Sequence, residues 1–255
     1  MMALLELKNV SLIYHSHDGE TEAVSDVSLT VGEGEFVSVV GPSGCGKTTL
    51  LGVIAGLIAP SGGEVLIKGR PVSEARNMTS LMPQRDQLFE WRSVFRNVTL
   101  GPEIKRDKSK EICAYADELL SKYGLYEFRK KRPSELSGGM RQRAALIRTL
   151  VTRPELLLLD EPFSALDFQT RLTVCDDVEN IIRKEGKTAV LVTHDISEAI
   201  SMSDKVVVLS ARPATVKKVY DITLDKSISP LKRREQKSFP VYFRSIWKDM
   251  EVHHE

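Results

Sequence analysis

Three largely apolar runs in the chain stop abruptly. Glu35-Phe36-Val37-Ser38-Val39-Val40 stops at a glycine, Leu156-Leu157-Leu158-Leu159 at Asp160-Glu161, and Thr188-Ala189-Val190-Leu191-Val192-Thr193 at His194. Continuous apolar runs of this length predict strands buried on both faces. Open sheets of such strands place ligands beyond their C-terminal ends. Upstream, Leu5, Leu7 and Val10, then Ser11-Leu12-Ile13-Tyr14, predict a first strand, followed by a polar loop over His15-Ser16-His17-Asp18-Gly19-Glu20. Val24 to Val31 alternates as a second strand, and Glu64 to Gly69 forms a short one after the turn Pro60-Ser61-Gly62-Gly63. Ser80-Leu81-Met82 reads as a strand end. Helical spacing joins Ile112, Tyr115, Ala116, Leu119, Leu120 and Tyr123, and further helices are predicted over Ala144 to Leu150 and Gln169 to Lys184. In the tail, Phe239, Tyr242, Phe243, Ile246 and Trp247 share one apolar face; a docked helix is the first reading and membrane-surface contact the second.

Composition narrows this picture. A chain of 255 residues with 42% hydrophobic content can build one large or two small domains. The net charge of +1 provides no global field toward nucleic acid, and the longest apolar runs are far shorter than a membrane span. Residues 1–8 lack the basic start and apolar core of a signal peptide. Cys45, Cys113 and Cys175 are odd in number and form no C-x-x-C pair, which predicts a reducing, cytosolic location. Lys105 to Lys110 reads as a solvated linker. The run Arg129-Lys130-Lys131-Arg132 has no interleaved aromatics, so it reads as a solvated turn and not as a nucleic-acid site. His15 and His17 have no third ligand nearby and read as a solvated loop. Leu88-Phe89-Glu90-Trp91 is apolar in a predicted loop, a pattern that marks contact with a partner.

The chemistry concentrates at the ends of the buried runs. Gly41-Pro42-Ser43-Gly44-Cys45-Gly46-Lys47-Thr48 fits G-x-x-x-x-G-K-[ST] and is followed by Thr49 and a predicted helix. Glycines let the backbone approach a phosphate, and the N–H groups at the helix start point at its charge. Gly41, Ser43, Gly44, Cys45, Gly46, Lys47, Thr48 and Thr49 are therefore candidate phosphate contacts, with Lys47 reaching the terminal phosphates and Thr48 binding Mg²⁺. Asp160 can hold Mg²⁺ through its water shell and Glu161 can polarise an attacking water; the alternative for such a pair is a helix N-cap. His194 can donate to a γ-phosphate, or serve as a satisfied structural histidine. Gln84 can ligate a cation and hold a water, or lie in a surface loop. Tyr14 can stack on a nucleobase, although strand aromatics pack in sheets more often. Leu136-Ser137-Gly138-Gly139-Met140 precedes a run of helix formers, so Ser137 and the helix start form a second anion site.

Together these residues resemble the ATP-binding subunit of an ABC transporter over about residues 4–222. The order is that of the family: Walker A, Gln84 of the Q-loop, the signature Leu136 to Met140, Walker B ending in Asp160 with Glu161, the D-loop Ser164 to Asp167, and the switch histidine His194. Met140 replaces the usual last glutamine of the signature. Leu88 to Arg92 and Ser210-Ala211-Arg212-Pro213 resemble the nitrate/sulfonate/taurine branch of bacterial importers, with Glu90 where that branch often has proline. The resemblance implies an α/β P-loop NTPase fold with a RecA-like, mostly parallel core sheet, an N-terminal antiparallel β subdomain and an inserted α-helical subdomain at about residues 88–153. The nucleotide-binding domain would span residues 1–225 and the tail residues 226–255. It further implies ATP and Mg²⁺, an ATPase reaction catalysed with Glu161, His194, Lys47 and Gln84, and Mg²⁺ held at Thr48, Gln84 and Asp160. Tyr14 would stack on adenine. A homodimer would form through signature and D-loop, with Ser137, Gly139 and Asp167 reaching the nucleotide of the other copy. A transmembrane permease would contact the residues after Gln84, and a solute-binding protein would complete an importer at the inner face of the cell membrane. A soluble ABC-type ATPase acting on ribosomes or DNA is the alternative; such proteins usually carry two cassettes or a long coiled-coil insert.

Overall fold

The computed structural model describes residues 3–16, 19–107 and 109–251. The chain order begins β1 (Ala3–Ser16), β2 (Gly19–Gly32), β3 (Phe36–Val40), α1 (Lys47–Ile54), β4 (Gly62–Ile67), β5 (Arg70–Pro71) and β6 (Thr79–Met82). A helical stretch follows with α2 (Val94–Val98), α3 (Leu100–Ile104), α4 (Lys110–Lys122) and α5 (Gly138–Leu150). The chain then runs through β7 (Leu156–Asp160), α6 (Phe168–Lys184), β8 (Thr188–Val192), α7 (Ile196–Met202), β9 (Lys205–Leu209), β10 (Val216–Asp221), α8 (Pro230–Arg233) and α9 (Phe239–Met250).

An antiparallel sheet has the order β2-β1-β4-β5, and a larger sheet the order β10-β9-β3-β8-β7-β6. In the larger sheet the strands from β9 to β6 are parallel, and only β10 runs against its neighbour. The uninterrupted apolar runs are the central strands β3, β7 and β8, buried at every position but Asp160. Along β7 the pleat divides the leucines. Leu156 and Leu158 join the core shared with α1 and the antiparallel sheet, while Leu157 and Leu159 join the core under α4, α5 and α6. A third cluster packs β9 against α7 and α9 through Val206, Val208, Ile200 and Ile246.

Several expectations change. The predicted polar loop over residues 15–20 is mostly strand: β1 runs to Ser16, β2 starts at Gly19, and His15 pairs with Glu20 at 3.1 Å. His17 and Asp18 lie outside the described residues. The long β1–β2 ribbon absorbs a register shift, where Asn9 at φ 51° donates to Asp26 at 2.6 Å. Leu88, expected at the surface, is buried, because the carboxamide of Asn97 pairs with the backbone of Phe89 and folds the loop inward. Trp91 is 73% exposed and lies beside the Phe89 ring. In α9, Phe239 and Ile246 are buried but Trp247 faces outward, so the apolar face is narrower than its spacing predicts. The linker residue Lys108 and tail residues 252–255 lie outside the described set. Among the described residues no helix is long and apolar enough to cross a membrane.

The tail is fastened by a buried cation. Arg233, 1% exposed, donates to Glu179 at 2.9 Å, to the Ser201 carbonyl at 2.8 Å, and to the carbonyls of Asp225 and Lys226 at 3.0 Å. Removing one member of a buried pair strands the other charge. Glu179 keeps Arg183 at 3.1 Å, which limits the loss. Arg233→Met is expected to destabilise the protein by about 3 kcal/mol in urea unfolding at neutral pH; a change below about 1 kcal/mol would show that the latch carries no net stability.

Candidate functional site

The site is built where parallel strands end. Beyond β3, the chain turns through Gly41 to Gly46 and enters α1 at Lys47. Gly46 has φ 122°, and a Cβ there would lie 2.7 Å from the Ala23 carbonyl oxygen, so only glycine fits the turn. No side chain caps α1, which leaves its first N–H groups available to an anion. Lys47 is nearly buried, and its Nζ donates to the carbonyls of Gly41 and Pro42, each at 2.9 Å. A cleft of about 240 Å³ is lined by Ser43, Gly44, Gly46, Lys47, Thr48, Thr49, Glu161 and Arg212.

Thr48 donates to Asp160 at 3.1 Å across the cleft. Burial raises the Asp160 carboxyl above its ordinary range, the Thr48 hydrogen bond opposes that, Glu161 adds to it and Lys47 opposes it. Glu161 leaves the strand at φ 43°, held by its N–H to the Val192 carbonyl at 2.8 Å. One oxygen of its carboxylate lies 3.2 Å from both Gln84 Nε2 and His194 Nδ1. Gln84, Glu161 and His194 thus form one cluster, contributed by the chain ends after β6, β7 and β8. A hydroxyl and a carboxylate at hydrogen-bond distance, beside free N–H groups and an amine, fit a triphosphate with a hydrated hard cation. Neither Asp160 nor Glu161 caps a helix; the cap of α6 is Asp167.

Gln84, Asp160 and His194 adjoin this cleft through Thr48 and Glu161, and the remaining candidates do not line it. Gly41 is buried and gives its carbonyl to Lys47, with Leu209 packed so close that a Cβ would meet it at 3.2 Å. Cys45 is buried and its N–H turns back to Pro42 at 3.3 Å; burial pushes its thiol up, with Lys47 and Arg212 both pulling the other way. Tyr14 is 43% exposed on β1. Ser137 is exposed and caps α5 by accepting from the Met140 N–H at 3.3 Å, and Gly139 packs against Val174. Asp167 accepts from Thr170 at 3.0 Å, which holds its carboxyl below the ordinary range.

Sequence reasoning missed two features. Asp86, two residues past Gln84, pairs with Arg141 of α5 at 3.1 Å, while Arg148 donates to the carbonyls of Asp86 and Gln87 at 2.7 and 2.8 Å. Arg141 also donates to the Leu136 carbonyl at 3.2 Å, so the loop holding Gln84 is tied to the turn holding Ser137. Arg212 is the second feature. Its signal was available only from topology: β9 runs beside β3, with Val208 opposite Val40, so the residues after both strands emerge together.

Residues 24–164 match the ABC transporter family. An uncharacterized ABC transporter ATP-binding protein of Bacillus subtilis, YtlC, is 48% identical over 98% of this chain and 96% of its own length. The taurine import ATP-binding protein TauB of Jannaschia sp. is 38% identical over 94% of this chain and 90% of its own. The dimeric post-hydrolysis structure of the ATP-binding cassette MJ0796, bound to ADP and Pi, superposes with a TM-score of 0.72 at 31% identity, covering 86% of this chain and 98% of that one.

Behind His194 lies a buried acid. Glu198 is 3% exposed and accepts from Thr193 at 2.6 Å. Burial pushes its carboxyl up to about 7, the Thr193 bond opposes this, Asp195 adds to it, and Arg171 and His194 oppose it. Between the unfolded value near 4.5 and about 7 the folded state holds the extra proton. Stability from this group is full below that window and lost as pH rises through it. Glu198→Gln is therefore expected to flatten the decline of unfolding free energy between about pH 5 and 8, a difference of roughly 3 kcal/mol. Parallel pH profiles for wild type and variant would contradict this.

Proposed function

Because the chain belongs to the ABC transporter family, we propose that it is the ATP-hydrolysing subunit of a bacterial importer, working as a homodimer on the inner face of the cell membrane. The observation that carries the hydrolytic reading is Glu161, held by Gln84 and His194 at 3.2 Å beside the cleft that contains Lys47. ATP enters with its phosphates over the uncapped start of α1, and Lys47 Nζ leaves the Gly41 and Pro42 carbonyls for the terminal phosphates. Thr48 and Asp160, with Gln84 at the edge, would hold Mg²⁺, which when bound neutralises phosphate charge. Glu161 orients and polarises the attacking water, and His194 donates a hydrogen bond to the γ-phosphate. Tyr14 stacks on the adenine.

Ser137, Gly139 and Asp167 stand outside the cleft of their own chain, which supports a role toward a second copy. Two chains meet head to tail, and the signature of each closes on the γ-phosphate held by the other's Lys47. Met140 leaves this contact intact, since Ser137 and Gly139 carry it. Trp91 and Phe89, exposed and half-buried after Gln84, fit contact with a membrane permease. The likeness to a taurine import protein along most of both chains supports a solute of the taurine, sulfonate or nitrate kind. The solute is selected by the permease and a solute-binding protein, not by this chain.

Glu161→Gln is expected to bind ATP normally, to lower hydrolysis by about 10²–10³-fold, and to accumulate as an ATP-bound dimer by size-exclusion mass. In proteoliposomes with the cognate permease and binding protein, the same variant should abolish ATP-driven uptake of labelled taurine, alkanesulfonate or nitrate by the wild-type assembly. A monomeric variant that hydrolyses ATP at the wild-type rate would remove the assigned base. Wild-type ATPase activity without uptake of any of these solutes would remove the solute class.

A further inference from the structure

We propose that Arg212 is a ligand for the nucleotide's phosphate chain, a cation that joins Lys47 in the cleft from outside the phosphate loop. The proposal rests on the ATP reading above and adds a residue to it. Parallel pairing of β9 with β3 brings the turn after Leu209 alongside Gly41 to Gly44. That turn is closed on itself: Ser210 Oγ shares its one proton between the carbonyls of Ala211 and Pro213 at 2.8 and 3.0 Å and accepts from the Thr215 N–H at 2.9 Å. It is also fixed to β2, since Ala214 donates to the Ala23 carbonyl at 3.0 Å and accepts from the Ser25 N–H at 2.9 Å. The same Ala23 carbonyl abuts Gly46. Arg212 therefore projects from a braced hairpin that shares a wall with the phosphate loop.

The guanidinium lines the cleft and donates one hydrogen bond, from Nη2 to the Gly44 carbonyl at 2.9 Å. Its planar fork carries five N–H donors, so capacity remains for phosphate oxygens. Among the described residues no carboxylate forms an ion pair with it. Lys47 is likewise parked on backbone carbonyls of the same loop. Two cations sharing one small cleft repel each other until an anion sits between them, and a polyphosphate is the anion that the adjacent free N–H groups fit. Being exposed, Arg212 can swing from Gly44 to a phosphate without disturbing the core.

A simple brace for Gly44 would need only a donor, whereas a phosphate ligand needs charge. Calorimetric Kd values for ATP, ADP and AMP separate these on Arg212→Lys, Arg212→Gln and Arg212→Ala, at about 50 and about 500 mM salt, with thermal unfolding as the folding control. Arg212→Ala and Arg212→Gln are expected to weaken ATP and ADP about 10-fold at the lower salt, with AMP nearly unchanged and the difference shrinking at the higher salt. Arg212→Lys should stay within about 3-fold of wild type. Wild-type affinity in both Arg212→Lys and Arg212→Gln with weakened binding only in Arg212→Ala would assign a brace and overturn the proposal, as would wild-type affinity in all three. Failure of the ATP reading is distinguishable, because Lys47→Ala would then also bind ATP like wild type, overturning both.

Discussion

Parallel strand pairing in register is the constraint on which the site depends. Reading the core sheet across β9, β3, β8, β7 and β6, the groups at or just past each strand's end are Arg212, the phosphate loop, His194, Asp160 with Glu161, and Gln84. No two of these groups except Asp160 and Glu161 are close in sequence. Each arrives at the same rim because its strand is parallel to its neighbour, and the burial of β3, β8 and β7 at nearly every position leaves the sheet no freedom to slip. The left-handed turn at Glu161 sends one carboxylate toward Thr48 and the next toward Gln84 and His194. A non-glycine residue in that conformation costs about 1 kcal/mol, and the surrounding bonds offset it.

Ligand chemistry on this rim has a matching deficit. Within one chain, Lys47, Arg212 and the uncapped start of α1 meet at the cleft, but Ser137, the N-cap of α5, lies outside it. In the proposed dimer a second copy would supply what is lacking. Moving a two-state equilibrium from 1:99 to 99:1 takes about 5.5 kcal/mol of differential binding. Charge-assisted hydrogen bonds at about 1.5–3 kcal/mol each reach that with a few contacts to a single phosphate. On that proposal, cleavage of the γ-phosphate would be enough to let the copies separate. The tie from Asp86 through Arg141 to Leu136 gives the Gln84 loop and the Ser137 turn a common mechanical support within each chain.

Local signals carried much of this in the amino-acid order. The phosphate loop is legible because glycines and a lysine at fixed spacing permit few other uses, and β7 because four leucines ending in two acids cannot face water. The turn at Ser137 is legible as the start of a helix, which Ser137 caps. What escaped depends on distance in sequence. Arg212 enters the cleft only through the β3–β9 pairing, Glu198 gains its buried environment only when α7 closes on the sheet, and Arg233 meets Glu179 only after the tail returns to α6. Leu88 looked like a surface residue because its burial is decided by Asn97, a polar side chain whose bonds to the Phe89 backbone no hydrophobic pattern reports. Trp247 erred the other way, since aromatic spacing in α9 gives the face but not the width that β9 and α7 cover.

In the proposed cycle one triphosphate is gripped by two polypeptides. The most direct measurement is a crystal structure of the Glu161→Gln protein with ATP and Mg²⁺. Ser137 Oγ is expected at hydrogen-bond distance, about 3 Å, from the γ-phosphate bound at Lys47 of the other copy. Ser137 remote from any nucleotide in every ATP-loaded assembly would contradict it.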